Sequence, residues 1–209
     1  IDTLAVARGE SVFLHGPSGS GKTTLLGLIA GVLAPSAGRV QVLGQDLGAL
    51  GSADRDRYRA AHVGYVFQMF NLIPYLSVRE NIALPVRLSA PRRARLGAAD
   101  VDSEVMRLAA GLEIDNLLDA AVTQLSVGQQ QRVAVARALI GAPELIVCDE
   151  PTSALDADRR ERFLELLFAS VARVGSTLVF VSHDLGLAER FGRTLSLGQL
   201  NRASHKAVA

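Results

Sequence analysis

Short apolar runs alternate along this chain with segments of helical period. Ser11–His15 (Ser-Val-Phe-Leu-His) predicts a buried strand. A glycine-rich turn follows, and then Leu25, Leu26, Leu28, Ile29, Val32 and Leu33 recur as on one face of a helix. Gly38–Leu43 alternates as a strand does until Gly44 breaks it, and His62–Phe67 predicts a further strand. Val101–Ala110, Val127–Ile140 and Asp158–Val174 have helical period. Leu145–Asp149 is continuously apolar and ends in carboxylates, which fits a parallel strand buried on both faces; Thr177–Val181 is the last predicted strand. Between Gln68 and Pro91 the pattern is mixed, punctuated by Pro74, Pro85 and Pro91, and the basic stretch Arg87–Arg95 reads as a solvated surface turn. Strands alternating with helices predict an α/β domain whose mostly parallel sheet is covered on both faces.

With 209 residues there is room for one such domain, with or without an inserted subdomain, but not for two nucleotide-binding domains or a long coiled coil. Hydrophobic residues at 49% and charged residues at 21% exclude a disordered chain. The 22 basic and 21 acidic side chains leave a net charge of +1, so global charge offers no argument for a nucleic-acid partner. Of the basic residues only Lys22 and Lys206 are lysine, which makes lysine at a special position informative. The one cysteine, Cys148, excludes an intrachain disulfide and fits a reducing compartment. No apolar run reaches the ~18–20 residues needed to cross a bilayer, and no signal peptide is visible.

The chemistry concentrates in a few segments. Gly16-Pro17-Ser18-Gly19-Ser20-Gly21-Lys22-Thr23 matches the phosphate-binding loop pattern in full, between a predicted strand and a predicted helix. Glycines let the backbone turn consecutive N–H groups towards one anion, and the helix that follows presents its positive end to the same phosphates. Lys22 would reach the β and γ phosphates, and the Thr23 hydroxyl would ligate Mg²⁺. Leu145-Ile-Val-Cys-Asp149-Glu150 would deliver Asp149 to a strand end, where it can hold Mg²⁺ through water. Glu150, one residue on, points differently and can polarise the attacking water. Leu125-Ser126-Val127-Gly128-Gln129 opens the Val127–Ile140 helix. Ser126 with Gln129 also reads as a plain capping box.

That last segment resembles the signature of ATP-binding-cassette (ABC) ATPases, usually Leu-Ser-Gly-Gly-Gln. Gln68 matches the family's glutamine loop, Ser153–Asp156 the loop after the second carboxylate motif, and His183 the switch histidine. The order and spacing agree: Gly128 precedes Asp149 by 21 residues and His183 follows it by 34. The resemblance covers nearly the whole chain. It implies a phosphate-loop (RecA-like) α/β core from about 1–86 and 139–209, and a helical subdomain over about 87–138. It implies ATP and Mg²⁺ as ligands. Residues 16–23 with Thr24 would hold the nucleotide; Thr23, Gln68 and Asp149 would hold the metal; Glu150, His183 and Gln68 would serve catalysis. Ser126, Gly128 and Gln129 would serve the ATP of a second copy, so that two chains form two composite sites.

Two departures stand out. Val127 replaces the usual first glycine of the signature pair, adding bulk and restricting the backbone. The family's adenine-stacking aromatic is not among these residues, since no aromatic precedes Phe13; either it lies with the family's front strand upstream of Ile1, or base stacking is weak here. Phe67–Pro85 is similar to the branch of lipoprotein-release, macrolide-efflux and cell-division ATPases. There Met69, Phe70, Leu72, Ile73, Tyr75 and Leu76 follow the glutamine loop; some of them would pack locally, and the surplus would form a groove for a membrane partner's coupling helix. The resemblance implies an ATPase peripheral to the cytoplasmic face of the inner membrane, with an integral-membrane permease as partner and no nucleic acid. The chain ends soon after the last predicted strand, so no regulatory domain is expected. The alternatives are an importer subunit, or an ABC ATPase without a permease. A small-molecule kinase would share the phosphate loop but not the signature or the histidine.

Overall fold

The computed structural model describes residues 1–201; Lys206 lies outside the described residues. Five strands form one parallel sheet: β1 (Ser11–His15), β4 (Val63–Val66), β5 (Leu145–Asp149), β6 (Thr177–Val181) and β7 (Arg193–Ser196). Their order is β4-β5-β6-β1-β7. Side chains alternate across the sheet, as strand geometry requires. Phe13, Ile146, Cys148, Leu178 and Phe180 face one core cluster; Leu14, Leu145, Val147, Val179 and Val181 face the other. The first cluster is closed by α3 (Val78–Leu88), α5 (Val101–Gly111), α6 (Val127–Leu139) and α7 (Ala157–Val174). The second is closed by α1 (Lys22–Ile29) and the short α8 (Leu197–Leu200). The predicted two-sided α/β arrangement is therefore the observed one.

Several local expectations need correction. Helix α1 stops at Ile29 because Gly31 takes φ +71°, so Val32 and Leu33 lie outside it, about half exposed. Only Gln41–Val42 (β2) of the predicted Gly38–Leu43 strand is a strand. It pairs antiparallel with β3 (Gln45–Asp46) through a two-residue turn in which Leu43 and Gly44 both have positive φ. Helix α2 (Ser52–His62) is too polar to show an apolar face; Arg57–Asp54 and Arg59–Asp56 pairs line its surface. Helix α3 lies where the prolines suggested punctuation. A Ser77–Glu80 capping box starts it, and burial of Val78, Ile82, Ala83 and Val86 outweighs the one backbone bond that Pro85 removes. Strand β7 also follows the last predicted strand; it is mostly polar and pairs on one side only.

The basic stretch 87–95 is not a solvated turn. It contains the short helix α4 (Ala90–Ala94), and Arg92 is 2% exposed. Its guanidinium donates to the carbonyls of Val63, Ala138 and Ile140 at 2.5, 3.3 and 3.2 Å. Burial, with Arg95 nearby, lowers its pKa to about 10. Arg95 donates to Ala61 O and pairs with Glu144 at 2.9 Å. These two arginines tie α4 to the start of β4 and to the end of α6. Charge counted along the sequence gives no sign of this, because the partners are backbone carbonyls.

Replacing Arg92 with alanine would strand three buried carbonyls. Arg92→Ala is expected to lower stability by about 3 kcal/mol, measured by urea unfolding followed by circular dichroism. A loss under about 1 kcal/mol, the size of one ordinary hydrogen bond, would contradict the assigned role.

Candidate active site

All five strands of the large sheet run the same way, so the residues that follow β1, β4, β5 and β6 meet along one edge. After β1 the chain enters the glycine-rich turn. Gly19 and Gly21 take φ +78° and +95°, a region closed to most side chains. Gly21 is also the N-cap of α1. It carries no capping side chain, and the first turn of α1 holds no acidic residue. Helices α3, α5, α6 and α7 differ, because Ser77, Asp100, Ser126 and Asp156 accept their first N–H groups. The start of α1 is therefore an open anion site at the sheet edge.

Charged groups surround it. Lys22 Nζ donates to Gly16 O at 2.8 Å and Pro17 O at 3.1 Å, and lies 3.8 Å from Glu150 Oε1. The ammonium is thus folded onto the loop that would hold a phosphate. The buried Ser20 hydroxyl has no partner among the described residues, and a side chain at Gly16 would collide with it. Asn201 donates to Ser20 O at 3.0 Å and braces the loop from the C-terminal side. Sequence reading did not single out that residue, since it belongs to no motif.

Asp149 ends β5, and Glu150 follows with φ +45°, its N–H bonded to Val181 O. This left-handed turn separates the two carboxylates. Burial pushes the Asp149 carboxyl up from its ordinary value; hydrogen bonds with Thr23 and Tyr65 and the charge of Lys22 work against this, while the Glu150 charge adds to it. Tyr65 on β4 was not predicted as a site residue; burial and the Asp149 charge raise its own pKa. Burial likewise raises the Cys148 thiol, which stays protonated and belongs to the core. His183, mostly exposed, faces Glu150 with Nδ1 2.9 Å from Oε2. Lys22, Thr23, Asp149, Glu150 and His183 are therefore linked in one constellation. Thr23 and Asp149 offer hard oxygen donors within reach of each other, a set that suits Mg²⁺, which usually takes one or two carboxylates and completes its shell with water and phosphate. The amide of Gln68 would be a third oxygen; it stands exposed in the turn after β4.

The signature residues lie elsewhere. Ser126 and Gln129 form the capping box of α6, with Ser126 N–H to Gln129 Oε1 at 2.9 Å and Gln129 N–H to Ser126 Oγ at 3.3 Å. The capping-box reading of this segment is therefore the observed one, and Ser126 remains exposed at the helix start. Val127 is the first residue of α6 in ordinary right-handed backbone and about half exposed, so it carries no strain in this chain. Gly128 has no positive φ, and a methyl group there would meet only Leu155 at 3.9 Å. Nothing among the described residues requires glycine at 128. Gln131, fully buried, donates to Pro151 O at 2.7 Å and joins α6 to the segment after Glu150.

The six apolar residues after Gln68 divide. Phe70 is in the core and Leu72 packs against it, whereas Met69 and Tyr75 are 80% and 85% exposed. Phe13 is fully buried in β1 and cannot stack on a base.

Comparison with known proteins agrees with this geometry. The family model described as ABC transporter matches residues 2–153. The uncharacterized ABC transporter ATP-binding protein YbbA of Escherichia coli (strain K12) is 43% identical over 199 residues, covering 94% of this chain and 85% of that protein. The lipoprotein-releasing system ATP-binding protein LolD of Anaeromyxobacter dehalogenans (strain 2CP-C) is 41% identical over 194 residues, covering 93% and 80%. Among solved structures, the dimeric post-hydrolysis state of the ATP-binding cassette MJ0796 bound to ADP and Pi superposes with a TM-score of 0.82 at 36% identity. It covers 92% of this chain and 83% of that one.

The left-handed Gly21 gives a direct test of the open helix start. Gly21→Ala forces a side chain into φ +95°, at a cost of roughly 1–2 kcal/mol. Isothermal titration with Mg-ATP is expected to show a loss of affinity of about tenfold or more, as the loop distorts to relieve the strain. Unchanged affinity would show that the left-handed cap is not needed for phosphate binding.

Proposed function

This chain belongs to the ABC transporter family, and from that premise we propose how its parts divide the work of an ATP-hydrolysing transporter subunit. The carrying observation is the open start of α1, with Lys22, Asp149 and Glu150 gathered around it and the signature facing outward at the start of α6. Residues 16–24 hold the phosphates. Lys22 leaves the Gly16 and Pro17 carbonyls and turns its ammonium to the γ-phosphate. Glu150 accepts a proton from the water that attacks that phosphate, and His183 fixes the carboxylate from the far side. Bound Mg²⁺, held by Thr23, Asp149 and Gln68, would neutralise phosphate charge. Ser126, Gly128 and Gln129 complete the site of a second copy. The absence of any intrachain demand for glycine at 128 supports this reading, because a requirement there would come from a docked partner. The helical stretch 87–138 is assigned as the arm that presents the signature to that partner.

The similarity to LolD supports a place in an export or lipoprotein-release complex, with an integral-membrane permease as partner. Among the described residues no helix is long and apolar enough to cross a membrane. By the same similarity to LolD, this subunit would work from the cytoplasmic face through its partner. Exposed Met69 and Tyr75, beside the glutamine loop, are the apolar side chains available for that contact.

Glu150→Gln keeps the shape of the site and removes the base. It is expected to bind ATP with near wild-type affinity, to hydrolyse it about 100-fold more slowly or worse, and to accumulate as an ATP-bound dimer in size-exclusion chromatography. Hydrolysis at the wild-type rate would remove Glu150 from the base role.

A further inference from the structure

Arg137, eleven residues beyond Ser126 on α6, makes a contact that none of the motifs accounts for. Its two terminal nitrogens donate to consecutive carbonyls of the loop after β4: Nη1 to Asn71 O at 2.7 Å and Nη2 to Phe70 O at 2.5 Å. Phe70 and Asn71 both have positive φ, +58° and +49°. Non-glycine residues avoid that region, so two in succession need something to hold them. The buried Phe70 ring holds one side of the turn and the guanidinium fork holds the other. Further on, the buried Asn81 side chain donates to the carbonyls of Ile73, Leu76 and Ser77 and accepts from Ile73 N–H. The loop is thus pinned from Phe70 to Ser77.

Gln68 lies just upstream of this pinned stretch. Among the described residues no hydrogen bond holds its exposed side chain, so the backbone of the turn fixes only the point from which its amide can reach. Only Met69 separates it from Phe70, a reach of about 7 Å at most. We propose that Arg137 is a positioning residue for Gln68: by clamping the Phe70 and Asn71 carbonyls it sets the turn that aims Gln68 at the nucleotide site. Through the roughly 16 Å of helix between them, it also links that turn to the signature at Ser126. This rests on the role assigned to Gln68 above.

The test is a double-mutant cycle on the full chain, read by steady-state ATPase kinetics. Arg137→Gln is expected to lower kcat about tenfold with KM changed less than about twofold. Arg137→Lys, which can reach one carbonyl but not both, is expected to fall in between. In a Gln68→Ala background the Arg137→Gln substitution should cost less than about twofold, because the residue being aimed is gone. A loss that multiplies in full on the Gln68→Ala background would overturn the proposal, as would a raised KM with kcat intact or wild-type kinetics. If Arg137→Gln does not fold, the same cycle is read with Arg137→Lys; failure of both to fold would make Arg137 a structural pin and end the proposal. Wild-type kcat in Gln68→Ala alone would overturn the role of Gln68 and this proposal with it, which distinguishes that result from full multiplication.

Discussion

The left-handed conformation of Gly21 is the constraint on which the site depends. It ends the glycine-rich turn, starts α1, and leaves that helix without a capping side chain. Most of the longer helices close their first turn with their own Ser or Asp. At α1 the free N–H groups and the positive end of the helix remain for an anion. The parallel sheet then brings Asp149, Glu150 and His183 to the same edge, and the Lys22 ammonium contacts both the loop and the Glu150 carboxylate. Lys22 sits on two carbonyls of the loop, which keeps its charge beside the open start of α1.

The signature segment is placed differently. Helix α6 begins with an exposed Ser126 and Val127 and a Gly128 that no intrachain contact demands, and its cap hydrogen bonds close on itself. Polar contacts tie the rest of that helix to the elements around it. Gln131 reaches Pro151 just beyond Glu150, Arg137 reaches the loop after Gln68, and Arg92 binds the carbonyls at its far end. On the proposed function, such contacts would carry a displacement at the signature to the turn after Gln68 and to the segment after Glu150.

Much of this was legible in the sequence where chemistry and period coincide. The strands at Ser11–His15, Leu145–Asp149 and Thr177–Val181 are apolar on both faces and bounded by clear breakers, and they form as expected. The phosphate loop needs its glycines at fixed places, so it identifies itself. Helix α2 was missed because its face is polar, and α3 because Pro85 looked like a stop although burial of one face outweighs it. Arg92, Arg137 and Asn201 were invisible for a common reason: their partners are backbone carbonyls, which leave no mark on side-chain patterning. The apolar run after Gln68 gave the right composition but not the division between buried Phe70 and exposed Met69 and Tyr75, since a turn with two left-handed residues has no period to read.

The central claim is that one chain holds only half of each working site. Its most direct test is the initial rate of ATP hydrolysis measured across a wide range of protein concentration, with mass recorded in parallel by analytical ultracentrifugation. The account predicts a rate per chain that rises with concentration and saturates as an ATP-dependent dimer appears. A constant rate per chain down to dilutions at which only monomer is present would contradict it.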